Sequence, residues 1–167
     1  MKGDSFVQDL EKLFFKNLKS EEEIFQLLLY FNDSFNPSLT ERGIDLEAYS
    51  KKLSVSSICI GAYYNNECVG FTSFYANDYE NLVSYLTLIV VDDKYRGKKI
   101  GQLLLDKFFE VSIDRKMKKA KLEVYEDNLI AINFYKKNGF EFSEKSSNGF
   151  IYMIKNLWIK NNLIIIT

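Results

Sequence analysis

The sequence predicts a mixed α/β (α+β) fold, and three stretches carry the prediction. The first runs from Tyr85 to Met117 as strand, sharp turn and helix. Tyr85 to Val91 is an unbroken apolar and β-branched run bounded by charge, the pattern of a strand covered on both faces. Beyond the turn that begins at Asp92, Ile100, Leu103, Leu104, Phe108 and Val111 recur at spacings of three and four, one helical stripe facing a sheet. The second stretch repeats the step. Strand 120–125 sets Leu122 and Val124 on one face and Lys121, Glu123 and Tyr125 on the other, and a helix capped by Asp127 or Asn128 follows and stops at Gly139. The third is a hairpin, Ser57 to Tyr64 and Glu67 to Tyr75, joined by Asn65-Asn66, a residue type that tolerates positive φ.

The other elements fit around these. Residues 6–18 alternate loosely, with Leu13, Phe14 and Phe15 as a strand centre. Ser20 and Glu23 form a capping box for a helix carrying Ile24, Leu27, Leu28 and Phe31, which stops before Pro37. Asp45 caps a short helix through Leu46, Tyr49 and Leu53. The hairpin register pairs Tyr63 with Cys68 and sets Cys59 near Thr72, too distant for a disulfide, so both cysteines read as small buried hydrophobes. Residues 77–81 turn the chain into the central strand at Leu82, and Arg115 to Lys119 place cations at the negative end of the following helix. Phe140 to Ser143 and Phe150 to Leu157 close the sheet around residues 146–149. The whole of 1–167 reads as one domain with core motifs in 82–155 and an apolar tail at 156–167, which adds to a sheet edge or meets another subunit.

Composition narrows the function. Apolar residues make up 47% and aromatics 16%, enough for a core without disulfides. Net charge is −1, so no global field draws the chain to nucleic acid or anionic lipid. Histidine is absent, which removes the usual general base and the commonest metal ligand, and two cysteines cannot build a structural zinc site. No metal, nucleic-acid or membrane partner is expected. Without a signal-length or membrane-length apolar run the expected location is the cytoplasm.

The turn into the 100–111 helix is an anion cradle. Backbone N–H groups at a helix start lack intrahelical partners and lie at the positive pole, and Arg96, Lys98 and Lys99 add charge beside Gly97 and Gly101. Val91 to Gly101 resembles the acetyl-CoA pyrophosphate loop of the GNAT superfamily of N-acetyltransferases, whose motif is Gln or Arg, two residues, Gly, one residue, then Gly or Ala. Arg96 and Gly101 match, while Lys99 stands at the first glycine; a helical first-turn conformation there needs no glycine. Asn128, Ala131, Phe134, Tyr135, Gly139 and Phe140 reproduce the family's second signature. The resemblance is good over roughly residues 50–155.

The resemblance implies a mostly antiparallel sheet of about six to seven strands with about four helices, splayed at a bulge between the fourth and fifth strands. It implies acetyl-CoA as co-substrate, its arm bonded by backbone groups of Ile89, Val90 and Val91 and its diphosphate by N–H groups from Gly97 through Lys98, Lys99, Ile100 and Gly101 to Gln102. Asn128 and Ala131 would face the arm. Tyr135, a phenol with an ordinary pKa near ~10, would return a proton to the leaving thiolate. Glu123 is the candidate base, with Asp78, Glu80, Tyr75, Tyr85 or a water chain as alternatives, since 83–91 holds no carboxylate. The segment 33–40 is a candidate acceptor loop or an ordinary surface connection. The expected activity is acetyl transfer to a primary amine, on a small molecule or a protein, by a monomer or homodimer. A non-catalytic acyl-CoA-binding module of the same fold is the alternative.

Overall fold

The computed structural model of the protein describes residues 12–157. In chain order the elements are β1 (Leu13–Leu18), α1 (Glu21–Phe31), α2 (Leu46–Ser56), β2 (Ile58–Tyr64), β3 (Glu67–Asp78) and β4 (Val83–Val91). They continue with α3 (Ile100–Asp114), β5 (Lys119–Tyr125), α4 (Leu129–Lys137), β6 (Glu141–Lys145) and β7 (Phe150–Asn156). The strands form one seven-stranded sheet in the order β1-β2-β3-β4-β5-β7-β6. Every neighbour is antiparallel except β4 and β5, which run parallel. The expected sheet and four helices are all present. The part of the first strand before residue 12, and the apolar tail beyond Leu157, lie outside the described residues.

Caps set the helices. Ser20 Oγ accepts from Glu23 N–H (3.3 Å), but the Glu23 carboxylate turns to Lys16 Nζ (2.8 Å) and Tyr63 Oη (3.0 Å), so only half of the expected capping box forms. Asp45 caps α2 through Ala48 N–H (3.0 Å). Asn65 and Asn66 both take positive φ, 48° and 65°, as a tight hairpin requires. Tyr63 pairs with Cys68 as expected. One correction follows from a bulge at Val69: Cys59 faces Ser73 rather than Thr72. Both thiols are free, and burial raises their pKa values. At the end of α3 only Arg115 sits at the cap; Met117 is buried and Lys119 already opens β5, so the 115–119 run is not a plain solvated cation cluster.

The two faces of the sheet carry different helices. Residues of α1 and α2 (Ile24, Leu28, Phe31, Leu46, Leu53) pack with Phe71, Leu88 and Val90. Residues of α3 and α4 (Leu105, Phe108, Ile132, Tyr135) pack with Phe74, Leu86, Leu122 and Val124. Leu86 and Leu88 share strand parity yet belong to opposite faces. The register explains this: Leu86 pairs with Phe74 and Leu88 with Ser73, leaving Thr87 as an extra, bulged residue. A one-residue bulge turns the strand over. The continuous apolar run from Tyr85 to Val91 therefore has a helix layer on each side, as its composition predicts. Among the described residues no helix is long and apolar enough to cross a membrane.

Candidate functional site

The basic loop is built around two left-handed residues. Asp92 anchors it, its carboxylate accepting from Lys94 N–H (2.9 Å) and Tyr30 Oη (2.6 Å), and these hydrogen bonds lower its pKa. Gly97 has φ +76°, with nothing within 4 Å of where a Cβ would stand. Lys99 caps α3 at φ +64°, which corrects the expectation of a helical first-turn conformation at that position. An L side chain is penalised there and glycine is not. Leu103 N–H makes the first intrahelical bond, to Lys99 C=O at 3.0 Å. The N–H groups of Ile100, Gly101 and Gln102 precede it and have no acceptor within the helix. No carboxylate occupies the first turn. Arg96 is exposed and pairs with Asp93 (2.8 Å), and Lys98 Nζ stands 5.1 Å from the Tyr95 ring. The Gln102 side chain ties α3 to the end of α4 through Asn138 Oδ1 (2.8 Å).

Where β4 leaves β5, the sheet opens. Their pairing runs only from Val83↔Lys119 to Leu86↔Leu122, ending at the bulged Thr87. Thr87, Leu88 and Ile89 of β4, Glu123 and Val124 of β5, and Asn128, Ala131 and Tyr135 line a cavity of about 100 Å³ in the gap. Five of the residues predicted for cofactor and catalysis, Ile89, Glu123, Asn128, Ala131 and Tyr135, thus meet in one place. The loop end approaches the same gap: a Cβ on Gly101 would lie 3.6 Å from Val91 Cγ2 and 4.0 Å from Phe134 Cζ. Asn128 is the N-cap of α4, its Oδ1 accepting from Ala131 N–H (3.2 Å). Tyr135 is buried between the rings of Phe134 and Phe140, and burial pushes its pKa above the ordinary phenol value while Arg42 pulls the other way.

A larger cleft of about 560 Å³ adjoins this cavity, sharing Arg42, Thr87, Leu88, Glu123 and Phe150 with it. Pro37 and Leu39 from the 33–40 connector line the cleft, while Ser34, Phe35 and Asn36 line the cavity, so this segment is a wall of the site. The connector is held by Thr40 N–H to Asn32 Oδ1 (3.1 Å) and by Glu41 accepting from Ser38 N–H (2.8 Å) and Oγ (2.9 Å). Tyr49, Tyr75 and Tyr85 also line the cleft, and burial raises the pKa of each. Asp78 and Glu80 are not among its lining residues, and Asp78 is occupied by Asn81. Glu123 is exposed and accepts a hydrogen bond from Ser146 Oγ.

Sequence reasoning missed Arg42, Lys52 and the β6–β7 turn residues Ser147 and Asn148. Arg42 donates Nε–H to Pro37 C=O (2.9 Å), and its guanidinium lies 5.2 Å from the Phe150 ring and 5.9 Å from that of Phe35. The one available signal was an arginine in an otherwise turn-like Thr40-Glu41-Arg42-Gly43 connection.

A parallel pair splayed at a bulge, with a basic loop at a helix start beside the gap, defines an acyltransferase architecture. The Acetyltransferase (GNAT) family model matches residues 21–140, and the chain belongs to that family. It is 31% identical over 105 residues to a spermine/spermidine N(1)-acetyltransferase of Bacillus subtilis, covering 59% of this chain and 69% of the relative. N-alpha-acetyltransferase 30 of Dictyostelium discoideum is 27% identical over 139 residues, covering 83% and 64%. Among solved structures, a GNAT-family acetyltransferase from Staphylococcus aureus superposes with a TM-score of 0.70 at 22% identity, covering 87% of this chain and 99% of that one. The PaiA N-acetyltransferase of Thermoplasma acidophilum, solved with coenzyme A, gives 0.67 at 19% identity, covering 86% and 98%.

Proposed function

We propose that the protein, as one domain in the cytoplasm, transfers an acetyl group from acetyl-CoA to a primary amine by direct attack within a ternary complex. One observation carries this reading: the gap between β4 and β5 gathers Ile89, Asn128, Ala131 and Tyr135 on one side of Glu123 and opens into the larger cleft on the other. The chain's residues fit the co-substrate. Unpaired first-turn N–H groups from Ile100 to Gln102, with Gly97, Arg96, Lys98 and Lys99 around them, suit a diphosphate. Backbone groups from Ile89 through Val90 to Val91, on the β4 edge that β5 no longer pairs, suit an extended amide-bearing arm. The Asn128 side chain caps α4 with its oxygen and keeps an amide N–H₂ to offer.

In the reaction the amine nitrogen attacks the thioester carbon, the C–N bond forms and the C–S bond breaks. The proton lost by nitrogen passes to Glu123 or to water in the open cleft. Tyr135 gives its hydroxyl proton to the departing sulfur. Its raised pKa keeps that proton in place at neutral pH.

Release of CoA thiol, assayed with acetyl-CoA and a panel of amines, tests the proposal. Tyr135→Phe should lower kcat by about 10²–10⁴-fold while acetyl-CoA binding persists. Unchanged kcat in that variant would remove the tyrosine from the reaction, and no acceptor-dependent thiol release from the wild type would remove the reaction itself.

A further inference from the structure

The cleft beyond the gap has a charge pattern that bears on its acceptor. Two carboxylates line it: Glu41 accepts from the Ser38 N–H and hydroxyl, and Glu123 accepts from the Ser146 hydroxyl while its charge acts on Arg42. Two cations line it as well, Arg42 and Lys52. Arg42 spends Nε–H on Pro37 C=O, and among the described residues its two Nη groups have no hydrogen-bond partner. The guanidinium is held in orientation by the Phe35 and Phe150 rings, and Arg42 lines both the cleft and the cavity holding Tyr135. Two further polar atoms, Tyr75 Oη and Thr87 Oγ1, are buried without a hydrogen-bond partner among the described residues, and both residues line the cleft. Buried polar groups are ordinarily paired, so these two hydroxyls point to polar groups on a ligand.

Glu41 and Glu123 balance Arg42 and Lys52 along the cleft, so no net negative field draws a polycation into it. A carboxylate would meet a planar two-donor fork already positioned by aromatic rings, which is the geometry guanidinium groups use for such anions. Because Arg42 borders the cavity as well as the cleft, an anion on it and an amine presented to the gap fit within one small molecule. We infer that the acceptor is a small amino-acid-like amine whose carboxylate is held by Arg42, and not a polyamine; this rests on the transfer reaction proposed above. Arg42 is then a specificity-determining residue.

Matched pairs test the assignment: kcat/KM for L-phenylalanine against phenethylamine, for L-lysine against cadaverine, and for spermidine. The wild type should favour the carboxylate member of each pair by at least about tenfold, the equivalent of one charge-assisted contact. Arg42→Gln should bring that ratio close to one through KM, with Arg42→Lys in between. A second measurement needs no turnover: 3-phenylpropionate should raise the melting temperature of the CoA-saturated wild type and not of Arg42→Gln, whose own response to CoA shows that it is folded. Equal kcat/KM within the pairs, or a preference for spermidine, with no response to 3-phenylpropionate, overturns the inference. Turnover of none of the amines despite CoA binding overturns the transfer reaction instead, and 3-phenylpropionate then decides the anion site alone.

Discussion

Lys99 holds a left-handed conformation, φ +64°, a region that penalises an L side chain and spares glycine. The strain for an L residue is about 1–2 kcal/mol, and a glycine there would give back roughly 0.4–1 through its freer unfolded chain. Lys99→Gly should therefore stabilise the protein by about 0.5–1 kcal/mol, a rise of roughly 1–4 °C in melting temperature by calorimetry. A fall would mean that the lysine side chain contributes more than its backbone costs. Tyr135 supports a second prediction. Its folded-state pKa is raised, so the protonated form is favoured in the fold; neither its proton nor any linked stability is lost until pH passes the ordinary phenol value near ~10. A kcat–pH profile should rise as the acceptor amine deprotonates and show no falling limb below about pH 10. A limb between pH 7 and 9 that disappears in Tyr135→Phe would contradict the raised pKa, though not the role as acid. Both residues were legible in the sequence as members of a motif, yet the sign of φ at Lys99 was not, because a lysine carries no signal for a conformation it disfavours.

At the scale of elements, the α4 cap has two duties to separate. Asn128 caps α4 with Oδ1, and the proposed function gives its amide nitrogen to the co-substrate arm. Asn128→Asp keeps the capping oxygen beside a helix start that favours negative charge, but loses the donor. It should melt within about 2 °C of the wild type and bind acetyl-CoA more weakly. Asn128→Ala should lose both, with about 1 kcal/mol of stability gone. Tight cofactor binding by the aspartate variant would leave Asn128 as a cap alone. Periodicity and caps carried most of these elements: the Asp45 cap and the Asn65-Asn66 turn stand where the sequence put them, and α3 buries Ile100, Leu104 and Phe108 of the expected stripe, with Leu105 and Ser112 in place of Leu103 and Val111. The bulge at Val69 did not show, and the bulge that the resemblance implied for the central strand was not placed at Thr87. An inserted residue inside an apolar run keeps the run apolar, so only strand pairing reveals that Leu86 and Leu88 face opposite helix layers.

At the scale of the molecule, the parallel β4–β5 pair is, among the described residues, the only break in an antiparallel sheet, and the candidate site grows from it. α3 and α4 cover one face and bring the basic loop and Tyr135 to the gap; α1, α2 and their connector bring Arg42 and Tyr49 to the other side. The cofactor side could be read from motifs because those residues are close in sequence. On the proposed acceptor side Glu123 and Tyr75 were legible as candidates, but Arg42 and Phe150 were not, since the four are assembled from separate segments. A thermal-shift titration with acetyl-CoA, beside ATP as a phosphate-bearing control, decides whether the basic loop and the gap hold the co-substrate. Saturable binding at a hundred times the dissociation constant adds about 2.7 kcal/mol, a rise of roughly 5–10 °C for a chain of this size. Acetyl-CoA should give that rise and ATP none. No shift at millimolar acetyl-CoA, or an equal shift with ATP, would contradict a co-substrate site there.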